Sequence, residues 1–109
     1  MNKNVGIIDI ECYFPKLYVC QKELEIYNNV PEGKYTKGLM QNNMAVPSCY
    51  EDIVSMSMNA LSLLMESSGI DYKDIGRLSV GTESQIDKSK SVKTYLMDLF
   101  GDNKDVLGV

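Results

Sequence analysis

Histidine is absent from all 109 residues. A Ser-His or Cys-His pair therefore cannot be assembled from this chain alone, and nucleophilic chemistry here needs groups from elsewhere. Basic residues are scarce as well. Eleven Lys and Arg face 15 Asp and Glu, for a net charge of -4, which argues against nucleic acid as a partner because phosphate binding draws on clustered cations. The short run Lys88, Lys90, Lys93 reads as a local anion site or a solvated helix start. No apolar stretch approaches the ~20 residues that span a bilayer. The chain enters its first predicted strand near Val5 without a secretory or Arg-rich leader, so no membrane partner and a cytoplasmic setting are expected. Cys12, Cys20 and Cys49 form an odd set with no Cys-x-x-Cys pair, which predicts reduced thiols and no metal site.

What is present is organised around Gly76 to Lys93. Leu78 and Val80 alternate with polar neighbours as in a strand, which stops at Gly81-Thr82. Glu83 follows the stop. Beyond it Val92, Tyr95, Leu96, Leu99 and Phe100 keep the spacing of one buried helix face, with Gly101 as its stop. In open α/β sheets the carboxyl ends of strands collect ligands and chemistry, so Glu83 is the candidate acid or base; a solvated loop carboxylate or helix cap is the competing reading.

The remaining chain supplies the frame. Ile7, Ile8 and Ile10 form a near-continuous apolar run that predicts a first core strand over Val5 to Tyr13, buried on both faces. Pro15 ends it. A short helix is expected at about Gln21 to Tyr27, with Leu24 and Tyr27 sharing a face and Glu23 and Glu25 turned to water. Asn28 to Lys34 is turn material, and Tyr35 to Gln41 reads as a short helix or helical turn. Ser48 and Glu51 have capping-box spacing ahead of a long helix over Glu51 to Ser67, apolar around most of its circumference, with Gly69 placed to end it in a left-handed conformation. A connection at Asp71 to Lys73 leads to the strand that delivers Glu83, and the terminal Val106 to Val109 reads as an apolar strand just starting. Strand, helix, strand, helix, strand indicates an α/β sheet with crossover helices.

Val80-Gly-Thr-Glu-Ser84, followed by Ile86-Asp-Lys-Ser-Lys-Ser-Val-Lys93, resembles the segment of 3-hydroxy-3-methylglutaryl-CoA (HMG-CoA) synthases that carries their general acid/base glutamate. Val5-Gly6-Ile7, Tyr13-Phe14-Pro15, Tyr18-Val19, Gly33-Lys34-Tyr35-Thr36, Glu51-Asp52-Ile53 and Ile75-Gly76-Arg77-Leu78 match the amino-terminal part of that family in the same order. The resemblance implies the amino-terminal portion of a thiolase-like α/β fold, with residues 1–109 a fragment of the family's amino-terminal domain. It implies condensation of acetyl-CoA with acetoacetyl-CoA to HMG-CoA in the mevalonate pathway, coenzyme A thioesters as substrates, no further cofactor, and a homodimer in the full-length family. By position it assigns the acid/base role to Glu83 and coenzyme A contacts to Pro31, Glu32 and Lys34. Pro31-Glu32 depart from the family's Asp-Ala, so backbone contacts there survive but an Asp side-chain contact does not; Met40 replaces a glycine. The family's nucleophilic cysteine and its histidine match nothing here, so the isolated chain is expected to be inactive. The alternative is a non-catalytic remnant or interaction module that keeps half of the sheet, and a third possibility is a relative acting on carrier-protein substrates.

Overall fold

A computed structural model describes residues 4–109, which divide into two compact units: residues 14–51, and residues 52–109 together with the amino-terminal segment through Tyr13.

The smaller unit is built on a two-stranded ribbon. Strand β1 (Leu17–Cys20) runs antiparallel to β2 (Asn43–Val46), with Tyr18 opposite Ala45 and Val19 opposite Met44. The Gln21 amide continues the ladder by donating to the Asn42 carbonyl at 2.9 Å. The pairing was not foreseen, because four-residue strands separated by more than twenty residues leave no local turn signal. Helix α1 (Gln21–Tyr27) follows β1 directly, within the expected bounds. Its buried face differs from the prediction. Gln21 and Glu25 are interior while Tyr27 is exposed, so the apolar pair Leu24 and Tyr27 does not define the packed side, and Glu25 is not turned to water. Residues 32–38 form successive turns, the helical-turn alternative of the prediction, beginning earlier than the expected Tyr35.

In the larger unit, α2 (Ile53–Ser68) is the longest element. Its cap is Asp52, whose side chain accepts from the Ser55 amide at 2.8 Å while the Ser55 hydroxyl accepts from the Asp52 amide. Ser48 and Glu51 instead close a separate turn just upstream, with the Ser48 amide donating to Glu51 Oε2. Two such boxes lie side by side in the sequence, and the second one starts the helix. Gly69 ends it at φ 65°, as its freedom from a Cβ permits. Most of α2 is half-buried, and only Met65 is fully enclosed.

The core forms around α3 (Val92–Leu96) and the tight turn Met97–Phe100 that continues it. Val92, Leu96 and Phe100 are buried at the expected helical spacing, and Val106 of the terminal segment is buried with them, each such side chain worth roughly 1.5–3 kcal/mol. Phe100 meets Tyr72 edge to face, with ring centroids 5.1 Å apart. The Asn103 side-chain amide donates to the Tyr72 and Ile75 carbonyls and ties that turn to the segment before Gly76.

The strand predicted ahead of Glu83 is reduced to an isolated parallel bridge between Arg77 and Leu107, flanked by extended backbone. The Leu78 amide donates to Leu107, the Val80 amide to Val109, and the Leu107 amide to Gly76, at 2.7–3.0 Å. With α3 between them, these paired segments follow the predicted order, although neither is long enough in its pairing to count as a strand. The predicted first core strand is overturned. Residues 5–13 form no strand, and Val5, Ile7, Ile8 and Ile10 are exposed, since the assigned strands β1 and β2 pair with each other. Asp9 ties this stretch to α2, accepting from the Ser67 hydroxyl at 2.6 Å. No helix among the described residues is long and apolar enough to cross a membrane.

Candidate functional site

Two stations carry the residues singled out by sequence, one in each unit.

In the larger unit, the extended segment that pairs with the chain's last residues ends at Val80, and Gly81-Thr82 lead directly to Glu83. A turn is fastened across Glu83 itself: the Ser84 amide donates to Thr82 Oγ1 at 3.0 Å, and that hydroxyl donates to the Ser84 carbonyl at 3.2 Å. Glu83 is exposed. Its carboxylate has no hydrogen-bond or ionic partner among the described residues, so it is free to meet a ligand. The desolvation that would strengthen it as a base is not supplied by these residues.

The polar run behind Glu83 is structured. Asp87 accepts from the Ser89 amide and hydroxyl, and these bonds hold its carboxyl below the usual range, the hydroxyl contributing most. Lys90 lies 4.0 Å from the Tyr95 ring centroid. Lys93 donates to the Val106 carbonyl and pins the terminal segment. Two of the three lysines read as a possible anion site are thus engaged within the chain.

In the smaller unit, Pro31, Glu32 and Lys34 share one loop and are all exposed. The loop is folded by its own backbone: the Lys34 amide donates to Pro31, Lys37 and Gly38 both donate to Gly33, and Leu39 donates to Tyr35. Gly33 has φ 86°, a conformation that side chains disfavour. The loop's remaining amides turn inward to one acceptor. Glu25 Oε1 accepts from the Tyr35 amide at 2.7 Å, the Thr36 amide at 2.8 Å and the Thr36 hydroxyl at 3.1 Å, while Oε2 accepts from the Gly33 amide at 3.0 Å. Stabilised by so many donors, the Thr36 and Gly33 amides foremost, the Glu25 carboxyl falls from its ordinary 4.5 to about 2. A cavity of about 300 Å³ opens beside it, lined by Lys22, Glu25, Ile26, Val30 and Glu32.

Glu25 is the residue that reading the sequence missed. The one signal for it was indirect: a turn-rich segment follows whose amides have no strand or helix to satisfy them. Chemically, the first station offers a free carboxylate just past the paired Gly76 to Val80 segment, and the second an exposed ammonium, Lys34, on a hydrogen-bonded loop.

Comparison with known proteins identifies the family of the chain. The family model described as "Hydroxymethylglutaryl-coenzyme A synthase N terminal" matches residues 1–109. The chain is 57% identical over 98 residues to hydroxymethylglutaryl-CoA synthase A of Dictyostelium discoideum, covering 90% of this chain and 20% of that protein. It is 55% identical over 107 residues to hydroxymethylglutaryl-CoA synthase of Saccharomyces cerevisiae, covering 98% and 22% respectively. Among solved structures it superposes on MvaS in complex with 3-hydroxy-3-methylglutaryl coenzyme A with a TM-score of 0.86 at 33% identity, covering all of this chain and 27% of that one. The chain thus spans about a fifth of the length of these curated relatives.

Proposed function

The chain belongs to the hydroxymethylglutaryl-CoA synthase family, with the amino-terminal portion of its thiolase-like α/β fold, and we propose that it serves as the acid/base and coenzyme-contacting part of an acyltransferase that condenses acetyl-CoA with acetoacetyl-CoA. Residues 1–109 correspond in this reading to the amino-terminal part of the synthase domain. The observation that carries it is the place of Glu83: just beyond the extended segment that pairs with the terminal segment, inside the Val80 to Lys93 match, and with an unpartnered carboxylate.

The chemistry follows from what a thioester methyl requires. That carbon is a weak acid, so a base must lie within hydrogen-bond reach and be shielded from water. Glu83 takes a proton from the methyl of an acetyl group held on a cysteine thioester. The carbanion then forms a carbon–carbon bond to the ketone of acetoacetyl-CoA, whose oxygen becomes the alkoxide and is protonated. Water cleaves the thioester to release HMG-CoA and the free thiol. The cysteine and the histidine that orients the ketone match no residue of this chain, so the isolated 109 residues form no HMG-CoA. Lys34 contacts coenzyme A phosphate as a point charge, and Pro31 and Glu32 contribute backbone atoms. The reading assigns coenzyme A thioesters as substrates with no added cofactor, a homodimer and a cytoplasmic setting.

The test is a chimaera in which these 109 residues replace the matching segment of the Saccharomyces cerevisiae relative. The chimaera is expected to form HMG-CoA, and Glu83→Gln to lower kcat by about 10²–10⁴-fold with little change in KM. A folded chimaera that keeps full turnover with Glu83→Gln would overturn the role of Glu83. A folded but inactive one would favour a non-catalytic remnant.

A further inference from the structure

Resting on the reading of the 31–34 loop as a coenzyme A contact, we infer that Glu25 is the positioning residue of that contact: its buried carboxylate holds the Gly33 to Thr36 backbone in the conformation that presents Lys34 to the ligand. Glu25 touches no substrate in this assignment. It acts through the loop.

The argument begins with the amides. Residues 32–38 belong to no helix or strand, so their inward N–H groups have no ladder to join, and a buried amide left without an acceptor is costly. Three of them, from Gly33, Tyr35 and Thr36, converge on a single side chain that is only 2% exposed. Converging amides of this kind make a concavity that suits an anion. Here the anion comes from the protein itself.

Lys34 lies between two of the clamped amides. The Tyr35 amide tied to Glu25 fixes the peptide plane after Lys34, and the Lys34 amide tied to the Pro31 carbonyl fixes the one before it, so its side chain is left outside with no partner among the described residues. Close packing leaves the loop little alternative: a Cβ on Gly38 would stand 2.2 Å from the Lys34 carbonyl oxygen, and one on Gly33 would stand 3.0 Å from Lys37 Cδ. Glu25 and Glu32 also line the same cavity. A loop ordered before the ligand arrives binds more tightly than one ordered on binding.

The substitutions separate charge, reach and donor count. Glu25→Gln keeps the shape but turns an amide group toward one set of N–H donors. Glu25→Asp keeps the charge but is one methylene too short to serve Gly33 and Thr36 together. Thr36→Val deletes only the hydroxyl donor. Isotope-labelled 109-residue chain, titrated with coenzyme A and followed by NMR, reads binding at the amides of residues 32–36 and their hydrogen exchange in one sample. Signals of the β1 and β2 amides report that the unit remains folded.

Coenzyme A is expected to shift the Gly33 and Lys34 amides saturably. In Glu25→Gln and Glu25→Asp the Gly33, Tyr35 and Thr36 amides are expected to exchange about tenfold faster, and the half-saturating coenzyme A concentration to rise about fivefold or more. Thr36→Val moves both in the same direction by less. Lys34→Ala weakens binding with exchange unchanged, which separates contact from positioning. Folded Glu25 variants that exchange faster yet titrate like the unaltered chain overturn the assignment, as do variants whose exchange is unchanged. An unaltered chain that shows no coenzyme-dependent shift overturns the coenzyme reading of the loop, and this assignment with it.

Discussion

Gly108 lies so close to Leu78 that a Cβ built on it would stand 1.8 Å from the Leu78 carbonyl oxygen. The two residues sit on adjacent parallel segments, where the Leu78 amide donates to Leu107 and the Val80 amide to Val109. Gly108 also has φ 121°. The close approach and the backbone conformation both require glycine, and together they let the terminal segment seat against the segment that ends beside Glu83.

Gly108→Ala is therefore expected to open this pairing. The loss of two or three ladder bonds and the imposed strain should cost about 2–3 kcal/mol. Faster exchange at the Leu78 and Val80 amides, together with a lower urea midpoint, checks it. Unchanged exchange at those amides would refute the close approach.

Met40 adopts φ 51° and is 92% exposed. A left-handed conformation costs a side-chain-bearing residue about 1–2 kcal/mol, part of which glycine gives back through the greater freedom of the unfolded chain. Met40→Gly should stabilise the smaller unit by about 0.5–1 kcal/mol, read as a higher denaturant midpoint. The same geometry accounts for the glycine that the family resemblance places at this position.

Leu96 is 2% exposed at the centre of the α3 face. Leu96→Ala should destabilise the larger unit by about 2–5 kcal/mol, the lost transfer energy plus a cavity term. Tyr95→Ala, on a half-buried position of the same helix, should cost less and should also release Lys90. Equal losses from the two variants would mean that the helix packs on a different face.

Acid should loosen the smaller unit through Glu25. Its folded carboxyl titrates at about 2 against an ordinary 4.5. The unfolded chain therefore binds the proton first on acidification, and stability falls as pH drops. The contribution is fully present above about pH 4.5 and is lost progressively toward pH 2. Acid titration followed by circular dichroism should show this decline, and Glu25→Gln should flatten it.

Much of this organisation was legible without coordinates. The spacing of Val92, Leu96 and Phe100 gave a helix face because burial follows a 3.6-residue period, and Gly69 and Gly101 marked helix ends because both take positive φ. Alternation and order placed the extended Gly76 to Val80 segment, the helix after it and the returning Val106 to Val109 segment, though the pairing of the two is only a short parallel bridge. The Val80 to Lys93 motif located Glu83 by resemblance. Each of these is written within a few neighbouring residues, so periodicity, turn chemistry or motif can report it.

What needed the tertiary structure depends on partners far along the chain. Ile7, Ile8 and Ile10 read as a buried strand, but a strand exists only where another backbone completes its ladder, and the assigned strands β1 and β2 complete each other's. Leu17–Cys20 found its partner in Asn43–Val46 across an intervening helix and a run of turns. Glu25 looked like a surface carboxylate because its own helix gives it no reason to be interior; only the folding back of Gly33, Tyr35 and Thr36 supplies the donors that make burial favourable. Local sequence determined which residues could form elements, and long-range hydrogen bonding decided which elements pair and which charge is enclosed.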